Sequence, residues 1–66
     1  MHITVNGDRL EVAASLTVSA LLRSLDIDHR RVAVELNLVV LKRAAFDATT
    51  IQEGDEIEIV NFVGGG

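Results

Sequence analysis

Glu56-Ile57-Glu58-Ile59-Val60-Asn61-Phe62-Val63-Gly64-Gly65-Gly66 is a strand-forming run that passes directly into three glycines, where the sequence stops. Ile57 and Ile59 alternate with Glu56 and Glu58, the two-residue period of a strand with one buried face. A strand over 56–63 is expected, with 64–66 as a tail beyond a domain that spans 1–63. An ending of this kind leaves the Gly66 carboxylate the least hindered group of the chain and makes it the candidate site. With Ile57 and Ile59 inward, Val60 and Phe62 fall on the outer face, where the core has no need of an aromatic ring. A β-bulge near Asn61 would instead reset the alternation and bury Phe62. Composition alone does not separate a functional glycine terminus from a frayed end.

Working back from this strand, Glu53-Gly54-Asp55 is turn chemistry, and Ile51 reads as a core residue. The segment 44–50 has no clear period; Phe46 within it is expected to plug one end of the core, around a single helical turn. Val39-Val40-Leu41 is a short strand that ends at Lys42-Arg43, and Asn37 begins the turn before it. Arg31 to Leu36 alternates and is rich in β-branched residues, which gives a strand with Val32, Val34 and Leu36 inward. Between Leu16 and Leu25 the period changes, because Val18, Leu21, Leu22 and Leu25 share one helix face. A helix over 17–25 follows, capped by Thr17, with Leu16 placed to staple against Leu21. The chain opens with two alternating runs, 2–6 and 9–13, separated by Asn6-Gly7. These residues tolerate the positive φ of tight hairpin turns. Ile3, Val5, Leu10 and Val12 would share the inner face. The sum is a two-layer α+β domain, a mixed sheet of four to five strands with one helix packed across it.

The totals narrow the function. Sixty-six residues with 48% apolar content make one small domain, and a domain of this size buries only about 60% of its unfolded surface. A buried catalytic cavity is not expected. A net charge of -4 and only two aromatic residues argue against nucleic acid and against an anionic membrane, and favour a basic protein groove as partner. With no cysteine in the chain, disulfides, thiolate metal sites and cysteine nucleophiles are excluded. No leader or membrane-spanning pattern is present, so a soluble cytoplasmic protein, monomeric on its own, is the expectation.

Side-chain chemistry finds little support. His2 and His29 have no metal-ligand spacing. Asp26 with Asp28, and Asp55 with Glu56 and Glu58, read as solvated loop and strand-face acids rather than acid–base pairs or ion ligands. Ser15, Thr17 and Ser19 cluster at the helix start, where capping explains them better than nucleophilic catalysis. Gly64-Gly65-Gly66 leads into no helix, unlike a phosphate-cradling loop. Glycine does suit a slim tail that enters a narrow enzyme channel, and a carboxylate delivered that way can attack the α-phosphate of ATP to give an acyl-adenylate.

Taken in order, several stretches resemble the ThiS family, the sulfur carrier proteins of thiamin thiazole synthesis. They are Ile3-Thr4-Val5-Asn6-Gly7, Leu16-Thr17-Val18 with Leu21-Leu22, Val32-Ala33-Val34-Glu35-Leu36-Asn37, Val40 and Arg43, Glu53-Gly54-Asp55, Glu56 to Val60, and Phe62-Val63-Gly64-Gly65-Gly66. The resemblance covers the whole chain and implies a ubiquitin-like β-grasp fold. It also implies that the Gly66 carboxylate is adenylated by an ATP-dependent, ThiF-like enzyme related to ubiquitin-activating enzymes. A thiocarboxylate would then form with sulfur from a donor protein, and the sulfur would pass to thiazole in a ThiG-like thiazole synthase. In this reading the chain is a protein co-substrate and not an enzyme, binds no cofactor or metal, and leaves ATP to the activating enzyme. Gly64 and Gly65 form the tail, and Val60, Phe62 and Val63 the partner-binding surface. The family often carries proline before the arginine matching Arg43, where this chain has Lys42. The small subunit of molybdopterin synthase shares the fold and the Gly-Gly end, though its members tend to be longer and richer in aromatics. A ubiquitin-like modifier conjugated through Gly66, and an interaction module with inert glycines, are the readings from other classes.

Overall fold

Two hairpins of the same design flank one central strand. The computed structural model describes residues 1–62, so the expectations for Val63, Gly64, Gly65 and Gly66 lie outside the described residues. Strand β1 (His2–Val5) turns into β2 (Asp8–Glu11), and β3 (Val32–Leu36) turns into β4 (Val39–Leu41). Strand β5 (Glu56–Asn61) lies between the hairpins, in the sheet order β2-β1-β5-β3-β4. It runs parallel to β1 and antiparallel to β3. Each hairpin closes through two residues at positive φ, Asn6 (50°) with Gly7 (86°), and Asn37 (51°) with Leu38 (70°). That is the type I′ geometry, whose twist matches the flanking strands. Asn6-Gly7 announces it; Asn37-Leu38 does so only through the asparagine.

Helix α1 (Val18–Ser24) packs across one face of the sheet. Thr17 caps it as expected, accepting a hydrogen bond from the Ala20 N–H at 3.1 Å. The helix stops in a Schellman arrangement: Asp26 takes φ 62°, its N–H bonds the Arg23 carbonyl, and the Ile27 N–H bonds that of Leu22. An aspartate fills the position glycine usually takes, which is why the sequence gives no sharp signal there. Val18, Leu21 and Leu22 are buried from the helix, Ile3, Val5, Val32, Val34 and Ile57 from the sheet. Burying a side chain of this size contributes roughly 1.5–3 kcal/mol, so this single layer of contact holds the two sides together. Phe46 and Ile51 close the core as expected. Phe46 follows a short 3-10 turn over Arg43–Ala45, and a second such turn covers His29–Arg31.

The differences from the sequence reading sit at element ends. Strand β2 stops at Glu11 rather than 13, and β5 at Asn61 rather than 63. No bulge interrupts β5: its register with β3 runs unbroken from Leu36↔Ile57 to Val32↔Asn61. The alternation therefore carries through, and Phe62 is not turned into the core.

Candidate functional site at the end of the central strand

Strand β5 is gripped from both sides by the asparagines of the two hairpin turns. On the β1 side, the Ile59 N–H donates to Asn6 Oδ1 at 2.7 Å, and Asn6 Nδ2 donates to the Ile59 carbonyl at 3.1 Å. On the β3 side, the Glu56 N–H donates to Asn37 Oδ1 at 2.9 Å, and the Asn37 N–H donates to the Glu56 carbonyl at 2.8 Å. The Asn6 side-chain amide acts as one more backbone unit and extends the ladder past the end of β1, whereas Asn37 pairs with Glu56 through its own N–H and its side-chain oxygen. Sequence reasoning assigned these residues to turns only. An asparagine leading a tight turn is the signal, but what it reaches is set by which strand lies next door.

Beyond Ile59, β5 is paired on one side only. The Phe62 N–H donates to the Arg31 carbonyl at 2.9 Å, so residues 60 and 62 bond β3 while the backbone of Asn61 points the other way. On that side β1 has ended at Val5 and the Asn6 amide reaches only Ile59. The last described stretch is thus a strand edge leading toward Gly64. Val60, opposite Ala33, is 55% exposed and Phe62 is 53% exposed. Val60 and Phe62, two of the three expected docking residues, stand outward on the face away from the helix, and Val40 (68% exposed) shares that face through its pairing with Glu35. The exposure of Val60 and Phe62 follows the strand parity.

The side-chain alternatives are placed differently. Asp28 caps the 3-10 turn and holds Arg30 through both carboxylate oxygens, at 3.1 Å to Nε and 2.9 Å to Nη2. The Arg30 hydrogen bonds keep its carboxyl well below the usual carboxylate range. Asp55 accepts from the Gln52 N–H and from Asn37 Nδ2. These acids organise turns. His2 lies 4.0 Å from Glu53. An open groove of about 600 Å³ between α1 and the Arg43–Ala45 turn brings Ser19, His29 and Asp47 to one place, the residue types of a hydrolytic triad. Their wiring is wrong for it: the Ser19 hydroxyl donates to Asp47 itself, and no hydrogen bond joins His29 to either. A triad needs the histidine between the other two. Among the described residues no group of histidine and acidic side chains could hold a metal ion, and no helix is long and apolar enough to cross a membrane.

A mixed five-stranded sheet with one helix across it, the parallel β1–β5 pair at its centre, and an exposed apolar exit from β5 define a small ubiquitin-like β-grasp domain. Comparison with known proteins narrows the class. The sequence profile of the ThiS family matches residues 3–66, and the chain belongs to that family. It is 49% identical to the thiamine biosynthesis protein ThiS of Geobacter metallireducens, whose crystal structure superposes with a TM-score of 0.87 over the whole of both chains. It is 30% identical to the sulfur carrier protein ThiS of Escherichia coli, again over all of both chains. It is also 42% identical over 66 residues to a thiazole synthase of Paramagnetospirillum magneticum, of whose length it spans 20%.

Proposed function

We propose that this chain is a sulfur carrier of thiamine biosynthesis, and that the Gly66 carboxyl group is the atom set that carries the sulfur. The observation that supports this most directly is the geometry of β5. A strand bonded on its two flanks by two asparagines is paired on one side only beyond Ile59, displays Val60 and Phe62, and in sequence precedes Gly64-Gly65-Gly66. The family profile includes those glycines.

In this reading a carboxylate oxygen of Gly66 attacks the α-phosphorus of ATP in an activating enzyme, and pyrophosphate leaves. A sulfur nucleophile at the sulfide level then attacks the acyl carbon and expels AMP, which leaves a thiocarboxylate. The thiocarboxylate sulfur passes to the thiazole ring in a thiazole synthase. The similarity to thiazole synthases of several times this length supports an enzyme of that kind as the receiving partner. The chain itself is consumed and regenerated as a co-substrate, with ATP bound by the activating enzyme. Val60 and Phe62, with Val63 beyond them, form the surface that seats the tail.

Intact-mass measurement after incubation with the activating enzyme, ATP and a sulfur donor tests this. The expected result is the replacement of one oxygen by sulfur, lost on deletion of Gly66 while the fold is retained. Conjugates of higher mass would point to a modifier instead. An unchanged mass with an enzyme that forms the acyl-adenylate of a related carrier would sink the proposal.

A further inference from the structure

The net charge of -4 conceals a polarity along the sheet. Five of the six lysines and arginines lie between Arg23 and Arg43, and the topology brings three of them to the end where β5 leaves. Arg31 precedes Val32, the partner of Asn61, and its carbonyl holds the Phe62 N–H. Lys42 and Arg43 follow Leu41, the partner of Val34, so β4 delivers them to the same end; Arg43 Nη2 reaches the Arg30 carbonyl at 3.3 Å. All three are exposed, and none of them has an acidic partner among the described residues. Arg30, beside them, has its charge occupied by Asp28. The groove between α1 and the Arg43–Ala45 turn runs from Arg43 to Arg23 and also contains Asp47, which accepts the Ser19 hydroxyl. Acidic residues crowd the opposite end, where Glu53 meets His2 and where Glu11 and Glu56 flank β1.

We propose that Arg31, Lys42 and Arg43 form a docking collar on the β3–β4 side of the departing strand, and that the face of the activating enzyme that receives the tail is acidic. The net charge taken as a whole suggests the reverse, a basic groove; the placement of the charges decides it. Unpaired exposed cations around an apolar centre act chiefly on encounter, because complementary fields steer association and fix its orientation. The molecule would arrive tail first. The inference rests on the proposed adenylation of Gly66 and names the kind of surface that would receive it.

The test is the association rate of the full chain with its activating enzyme, by stopped flow at rising sodium chloride. The wild-type rate is expected to fall with salt. Arg31→Glu and Arg43→Glu should each slow association about tenfold at low salt. Arg9→Glu makes the same change in net charge, but on β2 level with Glu56, and should leave the rate within about twofold. Circular dichroism checks that each variant is folded. Equal slowing by all three variants, or none by any, overturns the collar, as does salt-sensitive binding to a single-stranded oligonucleotide in preference to the enzyme. Were the wild-type chain to give no ATP–pyrophosphate exchange at all, the functional reading would fall together with the collar. Normal exchange with unchanged rates in the variants removes the collar alone.

Discussion

Asn6 and Ile59 are 53 residues apart, and two hydrogen bonds join the side-chain amide of one to the backbone of the other. This pair is where β5 passes from a strand held on both sides to one held on a single side, and so it sets where the departing chain begins. Asn6→Gly leaves the Ile59 N–H without its partner while tolerating the φ of 50° at this position. The contact is exposed, so a loss of about 1 kcal/mol is expected from chemical denaturation, with faster amide hydrogen exchange at Ile59 than at Ile57. Equal exchange at both amides would argue that the clamp is incidental.

Leu38 sits at φ 70° in the β3–β4 turn with 83% of its surface exposed. A leucine there meets the left-handed steric cost of roughly 1–2 kcal/mol and regains nothing by burial. Leu38→Gly should therefore raise stability by about 1 kcal/mol or somewhat less, since glycine also loosens the unfolded chain. Thermal melts of the two proteins under one set of conditions decide the sign.

Lys42 has φ -68°, the value a proline ring imposes. In a two-residue hairpin the closing pair Leu36–Val39 is the hydrogen-bonded one, so bonded pairs alternate and the Lys42 N–H points away from β3. The position thus accepts the proline that the family often carries there. Lys42→Pro should stabilise by about 0.4–1 kcal/mol through the unfolded state. Folding stability would rise while a charge of the collar is lost, so stability and association rate should move in opposite directions.

Asp28 supplies the pH dependence. Its carboxyl is held below the ordinary range first by the Arg30 side-chain hydrogen bonds and then by the Arg30 N–H. A depressed folded-state value means the contribution to stability is fully present above the unfolded value, near pH 3.9, and is lost as pH falls below it. Asp28→Asn should be less stable than the parent at neutral pH, with the gap closing in strongly acidic solution. A gap that stays constant down to pH ~2 would show that the carboxylate charge plays no part.

Phe62→Ala removes a half-exposed ring that the core does not use. Stability should change by no more than about 0.5 kcal/mol, whereas affinity for the activating enzyme should drop clearly in titration calorimetry. A large loss of stability with unchanged affinity would reverse that assignment.

The exposed apolar surface at Val60 and Phe62 was legible because it rests on strand parity. Once Ile57 and Ile59 are inward, Val60 and Phe62 must be outward unless a bulge intervenes, and the unbroken pairing of β5 with β3 shows none. The helix and its Thr17 cap were legible for a similar reason, since both signals lie within a few residues of each other. What stayed hidden depends on neighbours that the sequence does not place side by side. The amides of Asn6 and Asn37 look like turn residues until β5 is known to lie between the hairpins. Arg31 and Arg43 look like scattered charges until β3 is known to begin, and β4 to finish, at the same end of the sheet. The 3-10 turns are too short to show a period, and Asp26 ends the helix in a place where glycine would have announced it.

The parallel pairing of β1 with β5 has a practical consequence for watching this protein at work. Neighbouring strands that run the same way begin at one end of the sheet and finish at the other, so Met1 lies at the end remote from Asn61. Its amino nitrogen donates to the Val12 carbonyl at 2.7 Å, a bond that an amide nitrogen could equally make. A fluorophore or affinity handle joined there would ride at the end of the molecule remote from Asn61 and Phe62.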